Sequence, residues 1–196
     1  YISHDYRAAL ASSRLAEAHL TPLGETEALS KAFLISGKAL IALGNYREAE
    51  TALQDALSLF RRCDIPAQQI DACNQLARMY FIRADFRNAL RLLLDAVTLA
   101  DRLSDRRILG YLWGNLGRVY TMLGNMKKAA ESLSLNIDIS DELGDDKELA
   151  KALVSLAYLE LQLMEYEKAE HHLSRAYPIL AAHGMQRELI MAQTFR

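Results

Sequence analysis

The stretch that decides the fold is "LGNYREAETAL", residues 43–53, because the chain writes it repeatedly. Forty residues on stands "RADFRNALRLL" (83–93), then "LGNMKKAAESL" (123–133) and "LMEYEKAEHHL" (163–173); forty before it stands "SHDYRAALASS" (3–13). Set in register, the copies resolve into columns. Tyr6, Tyr46, Phe86, Met126 and Tyr166 share one position, and Ala9, Ala49, Ala89, Ala129 and Ala169 hold the position three residues later. Leu53, Leu93, Leu133 and Leu173 form a third column, and Ala56, Ala96, Asn136 and Ala176 a fourth. Upstream, Gly37, Ala77, Gly117 and Ala157 line up, as do Tyr80 and Tyr120 three residues further on. Self-similarity at a period of tens of residues marks a repeat architecture.

Within each unit the apolar columns recur at helical spacing on two stripes, separated by a short turn such as "LGN" at 43–45 and 123–125. The spacing predicts first helices over 28–43, 68–83, 108–123 and 148–163, and second helices over 46–63, 86–103, 126–143 and 166–183. A leading second helix is expected over 5–20 and a shortened first helix over 187–196. Turn chemistry marks the breaks at "TPLGE" (21–25), "CDIPA" (63–67), "LSDRR" (103–107), "LGDDK" (143–147) and "AHGMQ" (182–186). Pro178 falls about twelve residues into the last second helix. A proline there removes a backbone bond and clashes with the preceding turn, at ~3 kcal/mol, so a kink or an early helix end is expected near Tyr177.

The small columns explain how the helices pack. Two helices approach to ~8–10 Å only where something small sits at their crossing. The Gly37 and Ala49 columns supply that on opposite helices of each pair, where a leucine would overpack the contact by ~1–3 kcal/mol. One pair cannot bury both its apolar stripes, so stability comes from stacking pair on pair. The expected fold is all-α, a single array over 1–196.

One unit carries a recognisable signature. "WGNLGRVY" (113–120) places Trp113, Leu116, Gly117 and Tyr120 at W-x-x-L-G-x-x-Y spacing, continued by Ala129 and by Leu133 where a phenylalanine is usual. From about residue 5 to its end the chain resembles tetratricopeptide repeat (TPR) proteins. The period of 40 exceeds the usual ~34, and the usual proline after the second helix is absent, which resembles the long-repeat variety of bacterial regulators, peptide receptors and adaptors. The resemblance implies a right-handed superhelical solenoid of antiparallel pairs, with first helices lining a concave wall.

Mapped onto that wall, Lys38, Arg78, Arg118 and Tyr158 form one column, and Lys31, Asp71, Tyr111 and Lys151 another, seven residues earlier. Between them fall Asn74 and, one position on, Gln75 and Asn115. Stacked cations repel one another unless a carboxylate-bearing ligand intervenes, and arginine grips carboxylates in bidentate fashion. Amides such as Asn74 and Asn115 suit the backbone of an extended peptide, and "GNLG" (114–117) resembles adaptors whose inner asparagines do that job. The binding set is therefore Lys38, Asn74, Arg78, Asn115 and Arg118, with Lys31, Tyr111, Lys151 and Tyr158 secondary. The bland counter-reading is a solvated polar helix face.

Composition narrows the rest. Of the 196 residues 51% are apolar and 24% charged, with only 9 glycines and 3 prolines, which suits a helical chain rather than a turn-rich sheet protein. The 23 basic and 25 acidic side chains leave no surplus to neutralise nucleic acid. No apolar run approaches the ~20 residues of a membrane span. Cys63 and Cys73 lack a C-x-x-C spacing and read as buried thiols of a reducing, cytoplasmic compartment. The chain opens on Tyr1 and its last helical pattern, "RELIMAQTFR", stops at Arg196, so a piece of a longer protein is expected.

No catalytic constellation, metal site or cofactor motif stands out. His171 and His172 are adjacent and point about 100° apart on a helix. Glu167 and His171 have the i, i+4 spacing of a surface ion pair but are too few for zinc. "DELGDDKE" (141–148) lacks the spaced oxygen ligands of a calcium loop and reads as a solvated turn whose acids favour the next helix start. The expected function is non-enzymatic: a module that docks a protein or an extended, acidic peptide, inside a larger bacterial signalling or transcription-regulatory protein. Two alternatives are a receptor that changes pitch around a small molecule or short signalling peptide, and a scaffold that self-associates through its ends.

Overall fold

The computed structural model describes residues 2–194, and the ten elements among them are all α-helices. They are α1 (Ile2–Leu23), α2 (Thr26–Ala42), α3 (Tyr46–Arg62), α4 (Pro66–Ile82), α5 (Phe86–Leu103), α6 (Arg106–Met122), α7 (Met126–Leu143), α8 (Asp146–Gln162), α9 (Tyr166–Ala182) and α10 (Gln186–Thr194). The expected elements are all present. First helices α2, α4, α6 and α8 start two residues earlier than their apolar pattern and α10 one earlier, and the last two residues of the expected 187–196 helix lie outside the described residues.

The turns explain this regularity. A residue in the left-handed region stands at 24, 44, 64, 84, 104, 124, 144, 164 and 184, every twentieth position. At each helix end from α2 to α9 except that of α5, two backbone bonds close a Schellman motif around it. The Asp85 amide donates to the Tyr80 carbonyl at 2.9 Å and the Ala84 amide to Phe81 at 3.0 Å; Glu165 and Met164 repeat this on Glu160 and Leu161. The next residue holds the N-cap position of the following helix, and at four turns its side chain makes the cap bond. The carboxylates of Asp85, Asp105 and Asp145 and the amide oxygen of Asn125 each accept the backbone N–H three residues on, at 3.0–3.2 Å. Two or three residues, among them a left-handed one and the N-cap, separate consecutive helices, which is why first helices begin so soon.

The chain divides into two compact units, 1–100 and 101–196, with the boundary near the end of α5. In the first unit α1, α2, α3 and α4 pack each on the next, and α2 also touches α4. Leu53 and Phe60 of α3 and Leu76 and Met79 of α4 are sealed in its core. In the second unit the sequence of contacts runs from α6 to α10, with first helices α6, α8 and α10 also touching in turn. Leu112, Leu116, Leu133, Leu153, Leu159 and Leu180 fill its core.

The small columns do what their size suggests. A Cβ built on Gly37 would run into the side chain of Leu53, and one on Gly117 into Leu133. The second unit adds a polar departure. Asn136 of α7, the exception in an alanine column, is buried opposite Gly114, where an added Cβ would strike its amide. Its Nδ2 donates to Glu148 Oε1 of α8 at 3.3 Å, and its Oδ1 accepts from Ser140 Oγ at 3.1 Å.

Pro178 does not end α9, which runs on to Ala182. Pro178 and Ser174, whose carbonyl would have received the missing N–H, both face solvent, so water can take that acceptor. Two residues beyond Pro178, Leu180 is fully buried and holds the helix end in place.

Among the non-glycine residues in the left-handed region are Ala84 and Met164, both exposed. A side chain costs roughly 1–2 kcal/mol in that conformation, so Ala84→Gly and Met164→Gly should each raise stability by about 0.5–1 kcal/mol in urea unfolding. Loss of stability in both variants would show that these turns are not held left-handed.

Candidate functional site

In each unit the first helices expose one ridge. In the first unit it carries Lys31, Ile35 and Lys38 of α2 beside Asp71, Gln75, Arg78 and Ile82 of α4. Lys31 Nζ lies 2.5 Å from Glu27 Oε1 on its own helix, and Lys38 Nζ crosses to Asp71 Oδ2 at 2.5 Å. Gln75 Nε2 donates to Asp71 Oδ1 at 3.1 Å, and Arg78 Nη1 donates to Gln75 Oε1 at 3.5 Å. Lys38 and Arg78 therefore sit on one face as expected, but not as bare cations. Asp71 neutralises Lys38, which removes that repulsion as the reason for a ligand. Asn74 stands beside this relay, half-buried.

In the second unit the ridge carries Tyr111, Asn115, Arg118 and Met122 of α6 beside Lys151, Ser155 and Tyr158 of α8. Arg118 donates to the side-chain oxygen of Asn115. Asp145, the α8 cap, accepts Arg107 Nη1 at 2.8 Å and the Tyr111 hydroxyl at 3.5 Å. Burial pushes the Tyr111 hydroxyl above its ordinary pKa, aided by the negative charges of Asp145 and Glu148. Glu148, almost wholly buried, receives Lys151 Nζ at 3.3 Å. Tyr111 and Tyr158 are 38% and 39% exposed and Met122 50%, so apolar surface accompanies the charges.

Several features were not anticipated. Glu50 of α3 accepts the hydroxyl of Tyr80 at 2.5 Å and Arg83 Nη1 at 2.9 Å. Glu160 of α8, in the column of Tyr80 and Tyr120, lies 2.8 Å from His172 Nδ1. The Glu160–His172 contact crosses helices, where spacing had pointed to a pair within α9, Glu167 and His171. The acidic "DELGDDKE" turn is tied to its neighbours rather than only solvated: Glu142 meets Arg106, Asp146 meets His183 at 3.4 Å, and Asp141 meets Arg175 at 4.0 Å. A shallow hollow of about 410 Å³ opens at the α2–α3 turn, lined by Gly44, Asn45, Tyr46, Arg47, Glu48 and Arg83.

Cys73 is buried, and burial lifts its thiol to about 11, while Cys63 is only half-buried. Among the described residues no group of three or more His, Cys, Asp or Glu side chains could hold a metal, and no helix is long and apolar enough to cross a membrane.

Antiparallel helix pairs stacked through small residues, with first helices sharing a ridge, define a helical repeat protein. Three family models, each described as a tetratricopeptide repeat, match residues 30–63, 70–105 and 108–182. The chain belongs to the tetratricopeptide repeat family, whose arrays are generally non-catalytic scaffolds for protein interaction. Outer dynein arm-docking complex subunit 4 of Danio rerio is 26% identical over 152 residues, covering 78% of this chain and 31% of that protein. The chain thus spans about a third of that relative's length. Among solved structures, apo RapI overlays with a TM-score of 0.82 at 19% identity, covering 91% of this chain and 50% of RapI. A Rap protein complexed with competence and sporulation factor gives 0.79 at 16% identity, covering 99% of this chain and 53% of the other. These structural likenesses show the fold.

Tyr80 offers a check on the helix-pair packing. Burial, then its bond to Glu50, raises its hydroxyl to about 12. A raised value means the folded state holds the proton more tightly, so this contribution is present below pH ~10 and lost as pH climbs through 12. In alkaline absorbance titration one late tyrosine should vanish in Tyr80→Phe, and the variant should lose less stability across that window. An unchanged titration curve would remove Tyr80 from its buried seat.

Proposed function

We propose that the chain is a non-enzymatic docking module whose first-helix ridges hold an extended peptide or protein segment. Lys38, Asn74 and Arg78 serve in the first unit; Asn115 and Arg118 serve in the second, with Lys31, Tyr111, Lys151 and Tyr158 around them. The observation that carries this reading is the mixture of amides, arginines and exposed apolar side chains on those ridges. Amides and guanidinium groups bond a peptide's carbonyls and carboxylates, while apolar neighbours take its side chains. The module acts as the docking part of a larger cytoplasmic protein. The host expected from the sequence is a bacterial regulatory protein, whereas the Danio rerio relative favours a docking-complex host.

A second reading has one observation behind it. A Rap protein of this fold has been solved complexed with competence and sporulation factor. A short signalling peptide could in the same way bind here and alter the pitch of the stack, since repeat arrays adjust through many small interface shifts.

Peptides selected from a random displayed library, then mapped by hydrogen exchange, test the main reading. Protection should fall on α2 and α4 or on α6 and α8, and Arg78→Glu or Arg118→Glu should weaken the corresponding binders by about tenfold or more. Protection confined to the outer faces of α3 and α7 would defeat it. Solution scattering separates the readings: a bound peptide that leaves the particle's dimensions unchanged excludes the receptor mechanism.

A further inference from the structure

The helices α2 and α4 carry only five charged residues between them: Glu27, Lys31, Lys38, Asp71 and Arg78. Lys31 is matched by Glu27 and Lys38 by Asp71, each at 2.5 Å. Asp71 passes its second oxygen to the Gln75 amide at 3.1 Å, and the Gln75 carbonyl meets Arg78 at 3.5 Å. The relay ends there. Arg78, exposed, faces a neutral carbonyl at the limit of hydrogen-bond distance. The ridge is left with one positive charge, located at a guanidinium whose planar fork fits one carboxylate.

Two exposed apolar side chains share the ridge with Arg78. Ile82 lies one helical turn further along the same stripe of α4, and Ile35 of α2 stands forty residues before Gln75, level with it in the repeat. Both are 48% exposed. Asp71 and Glu27 meanwhile act against further negative charge. A second acid beside the first would meet Asp71 or have to strip Lys38 from it, which is discrimination by repulsion.

We infer that the first-helix ridge of the N-terminal unit recognises an extended peptide bearing a single carboxylate side chain between aliphatic ones, and not an acidic run. This rests on the peptide-binding reading above and names the ligand class for one of its faces. Arg78 takes the carboxylate; Ile35 and Ile82 take the aliphatic side chains.

The test is selection of random displayed decapeptides on the wild type, Arg78→Ala and Asp71→Asn, with synthetic binders re-measured by fluorescence anisotropy. Wild-type pools should be enriched in one Asp or Glu flanked by Leu, Ile or Val. Changing that acid to its amide should weaken binding about tenfold to the wild type and leave Arg78→Ala indifferent. Ile82→Ser should weaken acid and amide peptides alike, and Asp71→Asn should admit peptides with two acids. Wild-type pools rich in clustered acids, or an acid preference that survives Arg78→Ala, overturn the inference. Binders that protect α2 and α4 but carry no acid overturn it alone, whereas a library yielding no binder on either ridge also overturns the docking reading.

Discussion

One left-handed residue at every twentieth position sets the geometry on which everything else depends. From α2 to α9, α5 excepted, it stops the helix by a fixed pattern of backbone bonds, and the next helix starts two residues on, so these interior helices are all 17 or 18 residues long. Equal lengths let a forty-residue sequence period become a spatial register. Lys38 then stands level with Arg78, and Arg118 level with Tyr158, without any long-range signal to align them. A turn one residue longer would rotate the following helix by about 100° and carry its ridge off the shared face.

Given that register, close approach does the rest. Gly37 against Leu53 and Gly117 against Leu133 leave no room for a further methyl group, so helices in a pair meet backbone to side chain. Short separation brings successive first helices into contact, α2 with α4 and α6 with α8. That contact decides the electrostatics of the ridges: Lys38 reaches Asp71, and Arg107 reaches Asp145, because adjacent first helices are near enough for their side chains to bridge. Such half-exposed pairs are worth only ~0–1 kcal/mol each. Their larger consequence is to decide which charges a ligand meets.

The fold was legible in the sequence because columns such as Ala49, Ala89, Ala129 and Ala169 are nearly invariant within one chain. The twenty-residue backbone period was not. Its key column reads Gly24, Gly44, Asp64, Ala84, Ser104, Gly124, Gly144, Met164 and Gly184, and only the glycines announce a left-handed turn. The positions of Lys38 and Arg78 on one face followed from spacing, but the neutralising partner did not. Asp71 lies in a column seven residues from that of Lys38, and their meeting depends on the offset between two helices, which no single-helix pattern contains. At Pro178 the expected early helix end does not occur. Its local cost is real, yet the buried Leu180 two residues later and solvent at Ser174 let the helix continue.

The second unit shows how a departure from the columns can reach the surface. Replacing the column's alanine by Asn136 places an amide in a seam that is otherwise apolar, and that amide must be satisfied or cost stability. Gly114 supplies the space, Ser140 the donor, and Glu148 the acceptor. Glu148 in turn fixes Lys151 on the exposed ridge at 3.3 Å. None of these residues is useful alone: an alanine at 114 would collide with the amide, and an alanine at 136 would strip Glu148 of a partner while leaving it buried. A polar link that works only as a set penalises slipped stacking more heavily than a greasy seam would. It also ties the placement of a ridge cation to the interior of its own repeat, which is how a scaffold built from near-identical units presents different faces along its length.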